Sequence, residues 1–478
     1  MNTVMPDFFS ALPEIFVLVM GCVVLLLGLF VKPDNHAPVY YLTQLSLAAV
    51  TVISVYTFDG VTVQTFSGSF VVDSLAVLLK LCIYIVTFLV LLYSRDYMIQ
   101  RGIFSGDYLA LALFCVLGMM ILVSAGSLLT VYLGLELMSL CLYAMVGLWR
   151  DSKMATEAAM KYFILGALSS GMLLYGMSVL YGATGSLLIA DISTYVQSSH
   201  DHSVVLGLGL VFVLIGVAFK LGAAPFHMWV PDVYHGAPTS ITLFIAAAPK
   251  LAAFAMLVRL LIDGLQGMQV EWGQMFTGIA ILSIIVGNVI AIAQSNIKRM
   301  FAYSGIAHVG FILLALLTGT HEGYAAALFY AIAYAIMTAG GFGMILLLSR
   351  QGMEAERLDD FRGLNHINKW FAFIMLILML SMAGIPLTLG FFAKLSVITS
   401  LIHIKLIWIA VFAVLLAVVG AFYYLRVIKL MYFDSPENEA SQIESSADMR
   451  VILSVNGLAV LILGLFPDQL IALCALVI

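Results

Sequence analysis

Charge is what this sequence has least of: only 10% of its 478 residues are Asp, Glu, Lys or Arg, whereas 63% are hydrophobic. With a mean hydropathy of +1.10, there is too little polar surface to cover a water-soluble globule of this size. Paired cysteines are also lacking. Cys22, Cys82, Cys115, Cys141 and Cys474 are scattered singly, which argues against disulfide, zinc and iron-sulfur frameworks and reads as small buried hydrophobes. No phosphate-cradling loop is followed by a lysine, and the Gly207-x-Gly209 pair lies within an apolar stretch, so nucleotide chemistry in this chain has no support. His321 and Glu322 lack the second histidine of a zinc-protease helix. No metal, cofactor or nucleic acid is expected on this chain. Ten-residue alternation is absent, which excludes a membrane β-barrel.

Long apolar runs are what remains. Segments of roughly 17 to 30 residues recur from residue 11 to the C-terminus, and a hydrocarbon core needs about 20 per helix, so the expected fold is an all-α polytopic membrane protein of about fourteen spans. The first run lacks a basic flank and a small-residue cleavage site, and reads as a retained helix rather than a signal peptide. With the N-terminus outside, one side receives Lys32, Arg95, Arg101, Arg150, Lys153, Lys298, Arg299, Arg350, Arg357, Arg362, Lys369, Arg426, Lys429 and Arg450, and the other only Lys405. The positive-inside rule makes the first side cytoplasmic and puts both termini on the opposite one.

Two spans, the seventh at 204–230 and the twelfth at 371–401, carry interruptions in their middles. Phe219 to His227 contains Pro225, and Ser381 to Leu387 contains Pro386; a proline inside a helix removes a donor and clashes with the preceding turn. In the orientation above the two spans run in opposite directions, as inverted repeats require. The expected organisation is three N-terminal helices over 1–106, a first inverted five-helix repeat over 107–262, a second over 263–433, and a final loop and helix over 434–478. Two unrelated proline kinks are the plainer alternative.

Glu136, Lys220, Lys250 and Lys394 fall within the apolar stretches, where an ionisable residue is costly and commonly handles protons or ions. A desolvated ammonium is disfavoured against its neutral amine unless an anion stands nearby, so Glu136 paired with Lys220 is the economical arrangement. Moving a lysine pKa by about three units corresponds to roughly 4 kcal/mol, against roughly 2.3 kcal/mol for one charge moved through 100 mV, so a modest change in pair distance could gate a proton. His227, beside the first break, and His308 could relay protons, since imidazole titrates near neutrality. Lys161 is a further possible relay, or it snorkels and pairs with Glu157 one turn away. Lys80 and Arg259 lie closer to the interfaces and read as structural.

YLGLELMSL at 132–140, EAAMKYFILGALSS at 157–170, KLGAAPFHMWVPDVYHGAPTSITLFIAAAPK at 220–250, NIKRMFAYSGIAHVG at 296–310 and GIPLTLGFFAK at 384–394 together resemble the antiporter-like membrane subunits of the proton-pumping NADH:quinone oxidoreductase, respiratory complex I. The resemblance covers nearly the whole length and is to the subunit N branch. Lys394 argues against the sister branch that carries glutamate there, and the length argues against the branch with a long lateral helix. Pro249 before Lys250 departs from the usual Ala or Ser. The resemblance implies a translocase subunit of a bacterial inner membrane, with Glu136 and Lys220 as coupling pair, Lys250 as central relay and Lys394 facing the exit. It implies partners in the other membrane-arm subunits, including the sister antiporter-like ones, and in the lipid bilayer. NADH, FMN, iron-sulfur clusters and quinone would belong to partner chains. A subunit of a multisubunit sodium/proton antiporter or membrane-bound hydrogenase, and a free-standing carrier of a small solute, are the alternatives.

Overall fold

The computed structural model describes residues 5–31, 37–198, 204–349, 352–436 and 446–478, so that Lys32 and Arg350 of the charge partition lie outside the described residues. The chain runs through α1 (Leu12–Phe30), α2 (Ala37–Tyr56), α3 (Ser74–Gln100), α4 (Gly106–Val123), α5 (Leu128–Val146), α6 (Lys153–Thr184) and α7 (Ile189–Ser198). There follow α8 (Val204–Leu221), α9 (Trp229–Gly236), α10 (Thr239–Ala246), α11 (Ala248–Leu257), α12 (Gln269–Ile292), α13 (Ile297–Leu316) and α14 (His321–Leu348). The last are α15 (Leu364–Ile367), α16 (Lys369–Ala383), α17 (Leu389–His403), α18 (Ile407–Phe433), α19 (Ala447–Leu465) and α20 (Asp468–Val477). Between α2 and α3 a short antiparallel hairpin, β1 (Val63–Thr65) and β2 (Phe70–Val72), sets Val63 opposite Val72.

Thirteen helical stretches among the described residues are long and apolar enough to cross a membrane. The short helices α16 and α17 together supply one more, interrupted crossing, in line with the expected count. Helix starts follow local chemistry: Asp73, Ser105, Ser127, Ser152, Asn296 and Thr320 each accept a backbone N–H of the first turn through the side chain, satisfying a donor that has no partner within its own helix. At the centre stands α14, apolar all round and buried on nearly every face. It packs against α3, α10, α11, α13, α16, α17 and α19, as a helix without a polar face must.

Glycines permit close helix approach. A Cβ on Gly118 would lie 2.5 Å from the Met138 nitrogen, and one on Gly134 would lie 2.6 Å from that of Leu122. The backbones of α4 and α5 touch only because both side chains are absent.

Loops sort into two ends. At one, Glu354 accepts from Tyr97 (2.9 Å) at the end of α3, pairs with Arg101 (2.6 Å) and takes a short hydrogen bond from Thr239 at the start of α10. Burial opposes the charge on Glu354, but Lys298 and Arg101 outweigh it and hold the carboxyl below its ordinary range. At the other end, Arg259 clasps Asp73 and Asp263, and Asp7 accepts the Ser10 hydroxyl while its backbone N–H reaches Thr65. A buried Lys80–Glu14 pair at 2.6 Å ties α3 to α1, which agrees with a structural reading of Lys80.

Several sequence expectations change. The eighth span is itself interrupted: Ala247 leaves the helical region (φ −110°, ψ −86°), α11 restarts with Pro249 in its first turn, and residues Val258–Gly264 form a π-helix. The last span stops at Leu465 rather than continuing to 473, because Pro467 cannot prolong it. Cys22 is exposed and Cys82 only partly buried, whereas Cys115, Cys141 and Cys474 are buried as expected.

Candidate functional site

Both long interruptions end a helix in the same way. Gly222 (φ +75°) follows the last residue of α8 and Gly384 (φ +84°) follows that of α16. The Ala223 N–H reaches back to the Ala218 carbonyl (2.8 Å), and the Ile385 N–H to that of Leu380 (3.0 Å). This is the glycine-terminated helix end, with a proline soon after because the helix cannot resume there. Glycine in the left-handed region therefore makes each break, and Pro225 and Pro386 follow it rather than cause it.

Such an end leaves carbonyls without helical partners, and in each case a lysine supplies the donor, Lys250 buried and Lys394 half-buried. Lys250 donates to the Leu221 carbonyl at 2.6 Å, with its ammonium 5.4 Å from the Trp229 ring centre. Lys394 donates to the carbonyls of Ala383 (2.7 Å) and Met382 (3.1 Å) and lies 5.6 Å from the Phe311 ring centre. Cations are favoured at the negative end of a helix dipole and over aromatic faces. Among the described residues neither lysine has a carboxylate within ion-pair distance. The two sites are chemically alike: an ammonium on helix-end carbonyls, backed by an aromatic ring, beside a left-handed glycine whose missing Cβ leaves it room.

Lys220, on the last turn of α8, is buried and donates to Ser139 Oγ (2.8 Å) and Tyr143 OH (3.3 Å) of α5. Glu136 is not in direct contact with it, which corrects the expected ion pair. Glu136, Ser139 and Tyr143 follow one another at i, i+3 and i+7 on one face of α5, so the two hydroxyls fill the space where the carboxylate was expected. Glu136 Oε1 is buried and has no hydrogen-bond partner among the described residues.

His308 is buried with both ring nitrogens engaged, Nδ1 with Tyr330 OH at 2.8 Å and Nε2 with Tyr424 OH at 3.1 Å. Tyr424 makes a short hydrogen bond with Ser304. One nitrogen of a neutral imidazole donates and the other accepts, so this chain of hydroxyls has a direction. The Tyr330 ring stacks on Phe311 at 6.0 Å, the same ring that underlies Lys394, which sets the histidine cluster next to the second break.

The remaining candidates stand apart. His227 is only partly buried; its Nδ1 has no partner among the described residues, and no hydrogen bond joins it to Lys220 or Lys250. Lys161 is 44% exposed and pairs with Glu157 and with Asp232 of α9, both at 2.9 Å, as the local-pairing alternative had it. Asp232 also holds Arg299 at 2.9 Å. Sequence reasoning missed Ser139 and Tyr143, although their spacing from Glu136 could have found them. It also missed Tyr330 and Tyr424, which distant helices bring to His308 and which no local pattern signals.

Residues 125–420 match the family described as NADH:quinone oxidoreductase/Mrp antiporter, TM. NADH-quinone oxidoreductase subunit N of Thioalkalivibrio sulfidiphilus is 58% identical over 469 residues, covering 98% of both chains. Among solved structures, a chain of respiratory complex I from Thermus thermophilus superimposes with a TM-score of 0.82 at 31% identity, covering 97% of this chain and 99% of its own. A chain of the archaeal membrane-bound sulfane sulfur reductase gives 0.87 at 25%, covering 98% and 96%. Near-complete coverage at this identity, on a fold with the same interrupted helices that the motifs led us to expect, leaves one assignment: the chain belongs to the NADH-quinone oxidoreductase subunit N family of antiporter-like membrane subunits.

Proposed function

We propose that this chain is a proton-translocating membrane-arm subunit of an NADH:quinone oxidoreductase, and that Glu136, Lys220, Lys250, His308 and Lys394 carry the protons. The observation that bears most weight is the pair of lysine-capped helix breaks. A lysine on carbonyls can hold or release a proton without breaking an ion pair, which suits a relay more than a structural clasp.

The order of the groups follows the contacts. Glu136 acts on Lys220 through the face it shares with Ser139 and Tyr143, Lys250 reaches the Leu221 carbonyl next to Lys220 in sequence at the end of α8, and His308 with its two tyrosines leads to Lys394. Residues 107–262 and 263–433 act as inverted halves, each with one break, and residues 1–106 and 434–478 flank them. The lysine- and arginine-rich loops lie on the cytoplasmic side of a bacterial inner membrane, both termini lie on the other, and protons leave beyond Lys394. NADH oxidation and quinone reduction, with FMN and iron-sulfur clusters, take place in partner subunits and drive the movement. The relatives named subunit N favour this assembly over a sodium/proton antiporter or a hydrogenase arm. The apolar residues around both breaks disfavour a solute carrier.

The test is Lys220→Ala in the assembled complex. Proton translocation per NADH oxidised is expected to fall severalfold while NADH oxidation with a soluble electron acceptor persists; full retention of pumping and of quinone reduction would refute the assignment.

A further inference from the structure

On the side opposite the lysine-rich loops, a cavity of about 510 Å³ is lined by Thr62, Gln64, Asp73, Asp191, Arg259 and Asp263. Its floor is Arg259, only 5% exposed. Two of its guanidinium nitrogens meet the two oxygens of Asp73, each at 2.8 Å; Nη1 also reaches Asp263 at 2.9 Å, and Nε donates to the Val123 carbonyl at 3.0 Å. Four acceptors thus fix a planar fork in place. It stands on the π-helical stretch Val258–Gly264, a helix form that is rare and concentrated at functional sites. Nine positions earlier on the same run of helix, about 13 Å away at helical rise, is Lys250.

We infer that Arg259 is a non-titrating barrier, preventing the outer cavity from exchanging protons with Lys250. This rests on the proton-translocating reading above. An arginine keeps its proton at any pH that a cell meets, so it cannot pass one along, and its donors are already committed to Asp73, Asp263 and the Val123 carbonyl. The surrounding carboxylates hold the cation without removing it. The second break lacks such a guard: the cavity of about 330 Å³ beside Lys394 has that lysine as its one ionisable lining residue among those described. Protons gathered at Lys250 are thereby denied the near exit and left with the route toward Lys394. A clasp that only joined α3 to the end of the eighth span would leave proton permeability unchanged when its charges were removed together.

The experiment uses the assembled complex in liposomes without NADH, with an imposed pH gradient and an internal pH dye. R259Q/D73N neutralises one cation and one anion, and is expected to raise passive proton permeability at least threefold, with Lys250→Ala added to it returning the leak to the wild-type level. A leak no greater than wild type in the assembled double variant overturns the inference, as does a leak that Lys250→Ala leaves in place. If R259Q/D73N does not assemble, Arg259→Lys takes its place, because its ammonium keeps both carboxylates engaged but can release its proton. A leak above wild type is again expected, and equality with wild type overturns the inference. Lys250→Ala alone tests the underlying reading: loss of NADH-driven pumping supports it, and normal pumping removes it whatever Arg259 does.

Discussion

Replacing Lys394 by arginine separates the two roles its position allows, closing the end of α16 and carrying a proton. The ammonium makes two hydrogen bonds, to Ala383 and Met382, and a hydrogen bond from a charged donor contributes about 1.5–3 kcal/mol. Lys394→Met therefore forfeits about 3–6 kcal/mol of gross interaction and leaves two buried carbonyls unpaired, partly offset because no charge is then desolvated. Lys394→Arg keeps the charge and the donors, and the adjoining cavity of about 330 Å³ accepts the larger head. What arginine loses is the ability to give up its proton. The expected outcome is that the arginine variant assembles and resists heat like wild type, the methionine variant inactivates at lower temperature, and both lose tenfold or more in NADH-driven acidification of inverted vesicles. NADH oxidation by a soluble acceptor, read in the same vesicles, should be unchanged. Wild-type pumping by the arginine variant would show that Lys394 only closes the helix, and would refute the relay.

Two further outcomes follow from the packing and the loop electrostatics. Gly118→Val places a side chain against the Met138 backbone of α5, an overpacking of about 1–3 kcal/mol or more; it should lower the yield of assembled complex and the pumping that remains, and an unchanged yield would contradict the close crossing of α4 and α5. Glu354, held below its ordinary range, contributes stability that is complete above the unfolded value of about 4.3 and is lost as pH falls through the lower folded one. Thermal inactivation of the wild type should thus be flat from neutrality to about pH 5 and worsen on further acidification, while Glu354→Gln should be weaker at pH 7 and less sensitive to acid; identical curves for the two would exclude this role.

The three lysines were legible because a charge inside a twenty-residue apolar run is conspicuous, and the two breaks because glycine and proline interrupt such runs. The partners were not. Leu221, Met382 and Ala383 act through carbonyls that every residue possesses, so no residue type announces them. The Glu136–Lys220 contact was inferred from similar depth and opposite charge, and no direct contact forms because Lys220 donates to two hydroxyls on the same helix face instead. The third interruption, at Ala247, was not read from the sequence, although Pro249 stands in the first turn of the helix that restarts there. The helical count needed only hydropathy, whereas the union of His308 with Tyr330 and Tyr424 depends on tertiary packing across residues far apart in the chain.

Seating an ammonium on backbone oxygens, with no carboxylate to balance it, reverses the usual bookkeeping of a buried cation. An acid–base couple is electrically silent when full; on the proposed relay, Lys250 and Lys394 would be silent when empty, and each occupant would bring a whole unit of charge into a medium that screens poorly. Occupancy of one seat would then add to the cost of filling the other. Alternation between the two halves of the chain would in this way arise from electrostatics alone, with no need for a large movement of the helices that hold them.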